Sequence, residues 1–437
     1  TWQISGVATD RLWIMMRTAM SKPLRICIVA LNAYPAIEPS AGRAIGGLEN
    51  RAWNFAVGLA RHSHIAVDFV VGHTRPEART VVEGVTIVPI VDRWRDIRHD
   101  VSAVLDPKPS FPWFHVKRWN VKVLWQLALL AMTRPFRDRR QITDRLMTHC
   151  DRLRPDVFLS FGVGSQSAAV IRAAKLIRRP VIVALASNSE LDARLFEDGD
   201  YESRHGETAQ ESRYAIEHAT RVMCQTRWQH DRLLELTGRQ SSIVPSPIRI
   251  ERWSKHPKTE RGNSVLWVGR FDQFHKRPEL CLDVALRCPD IPFVMVINRG
   301  DARLADQVRA SAPRNVRIID YVPADEMPTL FREARVFLST SAAAFEGFPN
   351  VFLEAAASGT PVVTLEDFGD FVVSSGCGEC SNGDLNLAIE KLQLLWSHEA
   401  RWRECSRRGQ DWVQRVHALD HVVIQFLNAM EDVLALD

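Results

Sequence analysis

Short apolar runs of four to eight residues, closed by polar turns, alternate along this chain with longer amphipathic stretches. That alternation predicts buried parallel strands covered by helices. The second half is the more regular, with strands predicted at Ser264–Val268, Pro292–Ile297, Val316–Tyr321, Arg335–Ser339 and Thr360–Leu365. Helices fall between them at Arg277–Cys288, Ala302–Ala312, Ala324–Ala334 and Val351–Ser358, which makes a five-strand doubly wound unit. The first half repeats the theme at Leu24–Leu31, Ile65–Gly72, Val85–Ile90, Asp156–Phe161, Pro180–Ala186, Arg221–Gln225 and Ser242–Val244, with a helix over Leu48–His62. Pro245–Gly262 is rich in Pro, Ser, Lys and Arg and has no apolar period, so it reads as the linker between two domains. After Asp384 the chain reads as helical to its end.

Composition narrows the class. At 437 residues, 46% hydrophobic and 25% charged, the chain has ample core and is neither fibrous nor disordered. No apolar run reaches the roughly 18 residues that cross a bilayer. The net charge of +4 is too small to indicate a nucleic-acid binder by charge alone. Its distribution is uneven: Trp113–Arg154 holds ten Lys/Arg against three Asp, a local net charge of +7. Eight cysteines are scattered, several in apolar runs, which points to a reducing compartment. No signal peptide is recognisable around Met15 and Met16, and the residues before Met20 are expected to be upstream sequence.

Three stretches carry candidate chemistry. In Phe345-Glu346-Gly347-Phe348-Pro349-Asn350-Val351-Phe352-Leu353-Glu354, two carboxylates lie eight positions apart between a predicted strand and a predicted helix. Gly347 permits a tight backbone and Pro349 suits the first helical position. The helix start then aims free N–H groups and its positive dipole end at the loop, a setting that holds an anion such as pyrophosphate. Glu354 is placed to accept from ribose hydroxyls and Glu346 from another part of the ligand, although solvated charges at a helix start would give the same spacing. Arg270 ends the Ser264–Val268 strand and Lys276 stands at the next helix start, where two cations would neutralise a diphosphate. Gly46-Gly47 opens the helix after the first strand and lets a phosphate or sugar approach the backbone.

Taken in order, Gly46-Gly47-Leu48-Glu49, Val268-Gly269-Arg270 with Lys276, Glu346-Gly347-Phe348-Pro349 with Glu354, and Gly359-Thr360-Pro361-Val362-Val363 resemble the nucleotide-sugar glycosyltransferases of family 4. The resemblance implies an α/β fold of two Rossmann-like domains facing each other across a cleft, called GT-B. It implies an acceptor-side domain over 20–247, a donor domain over 264–412, and a final helix, within 413–437, crossing back to the first domain. It implies a retaining transferase that moves a sugar from a nucleotide-diphosphate donor to a hydroxyl of a glycan or lipid-linked acceptor, without cofactor or metal. Arg270, Lys276 and Glu346 would be catalytic. Gly46, Gly47, Gly347, Phe348, Pro349, Asn350, Val351 and Glu354 would bind the donor. Many relatives carry a histidine where this chain has Ala186, Ser187 and Asn188, so Ser187 or Asn188 is the candidate sugar contact. Ser246-Pro247-Ile248 replaces a common Asn-Gly at the hinge.

The basic stretch around Trp113, Trp119, Trp125 and Val121–Met132 combines tryptophan, an apolar run and flanking cations. It fits a segment lying in an anionic membrane surface, and equally a core helix with a solvated basic face. On the first reading the protein is cytoplasmic and peripheral on the inner face of a membrane. Two alternatives to a transferase are a degenerate binding protein of the same fold and an NAD-dependent oxidoreductase resting on Gly162 and Gly164. The second lacks the third glycine and the acidic residue of the dinucleotide fingerprint. Asp198-Gly199-Asp200, Asp367-Phe368-Gly369 and Cys377-Gly378-Glu379-Cys380 are read as structural, because each lacks the surroundings its chemistry requires.

Overall fold

The computed structural model describes residues 22–38, 46–73, 80–91, 97, 100, 101, 104–107, 114–116, 121–132, 153–197, 199–203, 206–253, 262–298 and 302–434. The stretch before Met20, and with it Trp113, Trp119, Cys150 and Asp198, lies outside them.

Among the described residues, ten strands precede residue 250: β1 Leu24–Val29, β2 Ile65–His73, β3 Thr80–Val82, β4 Val85–Val91, β5 Leu105–Pro107, β6 Phe114–Val116, β7 Val157–Phe161, β8 Val181–Ala184, β9 Arg221–Cys224 and β10 Ser241–Ile243. Eight of them form one sheet in the order β10-β9-β8-β7-β1-β2-β4-β3. All its pairings are parallel except β3 with β4. The apolar runs of β7 and β8 are buried at every residue, as strands with helices on both faces require. β3 escaped the sequence reading. It is a short edge strand closed onto β4 by Glu83-Gly84, both at positive φ, and Gly84 is the signal that marks such a turn.

The second sheet, in the order β13-β12-β11-β14-β15-β16, is parallel throughout. Its strands are β11 Ser264–Arg270, β12 Phe293–Asn298, β13 Val316–Ile319, β14 Ala334–Ser339, β15 Val362–Thr364 and β16 Gly378–Cys380. Five correspond to the predicted strands; β16, three residues long and begun by glycine, is additional. In the first sheet the strand order reverses between β7 and β1, and in the second between β11 and β14. Loops diverge at such a reversal and leave a crevice at the carboxyl ends of the strands.

The chain crosses between the sheets twice. The first crossing is less of a free linker than its composition suggests: Ile248 and Trp253 are buried with Phe331, Phe337 and Phe352 in the second domain. The second runs through a π-helical turn, Val413–His417, paired to the first by a bridge between Ile248 and Ala418. The last helix, Leu419–Leu434, returns to the first domain, where Val422, Val423, Phe426 and Met430 join the core of β1, β2 and the helix Gly47–Ala60. Gly58 permits this approach, since a Cβ there would lie 2.6 Å from Val423 Cγ2.

Candidate active site

The loops at the two reversal points meet. Arg270 closes β11, and the loop behind it runs through Asp272 and His275 to Lys276. Asp272 accepts from the amides of Phe274 and His275 and lies 3.1 Å from the Arg270 guanidinium. On the other side of the reversal, β14 leads through Thr340 and Ser341 to Glu346. Arg277, in the left-handed region at φ 49°, donates to the carbonyls of Thr340 and Ser341 and so ties the two loops together.

Glu346 is where they converge. Its Oε2 is hydrogen-bonded by Lys276 Nζ and lies 2.7 Å from His275 Nε2. Burial by itself would raise its pKa. The Lys276 charge and the His275 hydrogen bond outweigh burial and hold the carboxyl well below the usual carboxylate range. Arg270 and Lys276, six residues apart, are thus gathered with Glu346, some 70 residues later, at the carboxyl ends of the central strands β11 and β14.

The helix Asn350–Ala357 begins beside them, with Pro349 as its N-cap rather than its first residue, one position earlier than expected. Its first amides have no intrahelical partner. The Phe348 ring is not available to a ligand: it is buried against Phe371 and stacked on His417 at 5.5 Å, so only its main chain faces the loop. Glu354, one turn further on, is partly buried and separate from the Lys276–Glu346 pair. Burial pushes its carboxyl up to about 7, with Arg252 opposing the shift.

That shift has a consequence for stability. Between pH 4.5 and 7 the unfolded chain releases this proton while the folded chain keeps it, so stability falls as pH rises through that window and levels off above it. Glu354→Gln is expected to raise the melting temperature at pH 8 by about 2–4 °C and to leave it unchanged at pH 4. Scanning calorimetry checks this; an unchanged or lower value at pH 8 contradicts the burial of a charged Glu354.

The first domain closes the site from the opposite side. Asn350 Nδ2 donates to Gly47 O at 2.8 Å, which brings the Gly46-Gly47 turn against the helix start. Glu49, in the first turn of Gly47–Ala60, has its pKa raised by burial, opposed by its own amide and by the charge of Arg270 across the cleft. Ser187 Oγ donates to Phe345 O at 2.8 Å and Asn188 Nδ2 to Ala343 O at 2.9 Å, so both tie the first domain to the Glu346 loop. Gln225 adds a hydrogen bond to Ala186 O, the carbonyl on which Gly347 packs. His275, Asp272, Gln225 and Glu49 were not assigned roles from sequence. His275 adjoins Lys276, but nothing local shows that its ring reaches a carboxylate 71 residues away.

Gly162-Val163-Gly164 also lies at a reversal, yet the space beside it is taken. Glu190, buried against Gly162, accepts from the amides of Ala186 and Val163, and Glu207 packs on Gly164. A cavity of about 530 Å³ at the opposite end of the second sheet, lined by Asn263, Pro292, Asn315 and Glu333, is remote from these charges.

Residues 262–392 match the family model described as glycosyl transferases group 1. No curated protein sequence matches the chain. Among solved structures, Staphylococcus aureus TarM in complex with fondaparinux, alpha-GlcNAc-glycerol and UDP is 11% identical, with a TM-score of 0.65 over 93% of this chain and 100% of that one. Anabaena HepE in complex with UDP is 14% identical, with a TM-score of 0.60 over 94% and 100%. A glycosyltransferase from Rickettsia africae is 11% identical, with a TM-score of 0.60 over 95% and 99%. Residues 262–392 are thus similar to the group 1 glycosyl transferases, and the chain as a whole has the two-domain GT-B fold.

Proposed function

We propose that the protein transfers a sugar from a nucleotide-diphosphate donor to a hydroxyl of a glycan or lipid-linked acceptor, with retention at the anomeric carbon. The observation that carries this is the convergence of Arg270, Lys276 and Glu346 at the reversal point of the second sheet, opposite Gly46-Gly47. Arg270 and Lys276 face the donor diphosphate, and the amides of Gly347, Phe348, Asn350 and Val351 add the positive end of a helix. Glu354 takes the ribose hydroxyls and Glu346 the transferred sugar. As the bond from the anomeric carbon to the phosphate oxygen breaks, its electron pair stays on the diphosphate. That diphosphate then takes the proton of the acceptor hydroxyl, which attacks from the same face. Side-chain cations neutralise the growing charge, so the reading assigns no role to a metal or cofactor.

A thermal-shift screen across UDP-, GDP- and ADP-sugars tests donor binding, because a ligand that binds only the folded state raises its melting temperature. Nucleotide release on adding acceptor then separates a transferase from a degenerate binding protein, the reading favoured if Ser187 and Asn188 leave the site short of a sugar contact. An oxidoreductase fits less well, since Glu190 already engages the Val163 amide that would cradle a dinucleotide phosphate.

The acceptor reading rests on the helix Lys122–Met132. No helix among the described residues is long and apolar enough to cross a membrane. This one nevertheless turns an apolar side outward, with Val121 80%, Leu124 62%, Trp125 54% and Met132 74% exposed, while Val123 and Gln126 are buried. A solvated basic face on a core helix would look the opposite way. An exposed apolar strip within a segment of net charge +7 fits the surface of an anionic membrane, and hence a lipid-linked acceptor met on the inner face from the cytoplasm. The seven buried free cysteines among the described residues suit that reducing compartment. Sedimentation with anionic liposomes is expected to carry down most of the protein at low salt and to fade as salt rises. No binding at low salt contradicts the membrane reading.

A further inference from the structure

One side chain in the site has no part in the roles above. His275 is fixed at both ends of its backbone: its amide donates to Asp272 Oδ1 at 2.9 Å, and its carbonyl accepts from the Ala342 amide at 2.9 Å. Its ring, 13% exposed, bridges two charged groups, with Nδ1 3.3 Å from Arg270 Nη2 and Nε2 2.7 Å from Glu346 Oε2. A guanidinium only donates, so Nδ1 accepts and the ring hydrogen sits on Nε2, where it is given to the carboxylate. The direction of every hydrogen bond in the row Arg270, His275, Glu346 is thereby fixed.

Lys276 also donates to Glu346 Oε2. Two donors on one oxygen set the plane of the carboxylate and leave Oε1 for a ligand hydroxyl. Lys276, however, is also the cation placed to face the leaving diphosphate. As negative charge grows there, the ammonium is drawn from Glu346 toward the phosphate, and the imidazole is what keeps the carboxylate aimed.

We propose that His275 is a positioning residue for sugar transfer, holding Glu346 through its Nε2–H with its tautomer set by Arg270. This rests on the reading of the site as one for a nucleotide sugar. The role is felt when the leaving group departs, so its loss lowers kcat more than it raises the donor KM.

The test measures nucleotide release from UDP-glucose and the other donors of the screen, alongside the long-range proton–nitrogen spectrum of the histidine rings, with His275 assigned by the signal that vanishes in His275→Gln. The His275 ring is expected in the Nε2–H tautomer. His275→Ala is expected to lower kcat about 10- to 100-fold, with the donor KM within about threefold. His275→Gln restores most of the rate, because its amide N–H donates to Glu346 and its carbonyl accepts from Arg270. Melting temperatures close to wild type show that both variants fold. An Nδ1–H tautomer, or an unchanged kcat in His275→Ala with a donor the wild type cleaves, overturns the proposal. Equal losses in the Ala and Gln variants with a raised KM also overturn it, since a packing role predicts that. A wild-type protein that cleaves no donor overturns the nucleotide-sugar reading itself, whatever the tautomer.

Discussion

Lys276→Ala is expected to lower kcat about 10²- to 10³-fold while changing donor affinity by a much smaller factor. The asymmetry follows from where the charge is. Before reaction the ammonium is shared with Glu346; as the nucleotide departs, the negative charge on its terminal phosphate increases, and the interaction strengthens where the barrier lies. Removing one preorganised charge partner from such a site typically costs about 3–4 kcal/mol of transition-state stabilisation. Lys276→Arg is not expected to rescue, because a planar fork does not fit the space of a point charge between Ser341 and Glu346. Steady-state kinetics with the best donor of the screen checks this, and equal losses in affinity and rate contradict the assignment. Glu354→Ala is expected to show the reverse split, with donor binding weakened and turnover of bound donor largely kept.

Gly347→Ala is expected to cost about 10²-fold in activity although it removes no reactive group. A Cβ at this position would lie 2.4 Å from Ala186 O and 2.9 Å from Gln225 Nε2, distances that real Cβ atoms do not adopt. Neither neighbour yields easily, since Ala186 O is main chain and is held by Gln225, which also takes a hydrogen bond from Ser246. The domains must separate locally, or the loop bearing Glu346 must shift. A displacement of about 1 Å in a positioned group is enough for the stated loss. Activity assays beside melting curves check it: the melting temperature is expected to change little, because the second-domain core around Phe337 and Phe352 is untouched. Retention of more than half the activity contradicts the tight apposition of the two domains at Gly347.

The sequence made some of this legible and hid the rest for physical reasons. Long valine- and isoleucine-rich runs such as Leu24–Val29 and Val181–Ala184 are buried on both faces, and that burial forces the composition that reveals them. The helix bearing Glu354 was readable because Gly347, Pro349 and its apolar spacing act within a few residues. β16 was not, because three residues beginning with glycine carry no period, and their place is set by pairing with β15. At the candidate site, Arg270, Lys276 and Glu346 were visible as residue types at strand ends. The partnership of Lys276 and His275 with Glu346 is tertiary. Likewise, nothing near Ser187 and Asn188 indicates that carbonyls some 155 residues later take their hydrogen bonds. Ile248 and Trp253 sit in a segment whose polar composition concealed two core side chains.

Diffraction from crystals grown with the nucleoside diphosphate that gives the largest thermal shift tests the site most directly. Diphosphate oxygens are predicted within about 2.7–3.2 Å of the Arg270 and Lys276 side chains and of the amides that open the helix Asn350–Ala357. A diphosphate lodged at Gly162–Gly164, or anywhere that leaves both cations without phosphate, would contradict a sugar-nucleotide site between the two domains.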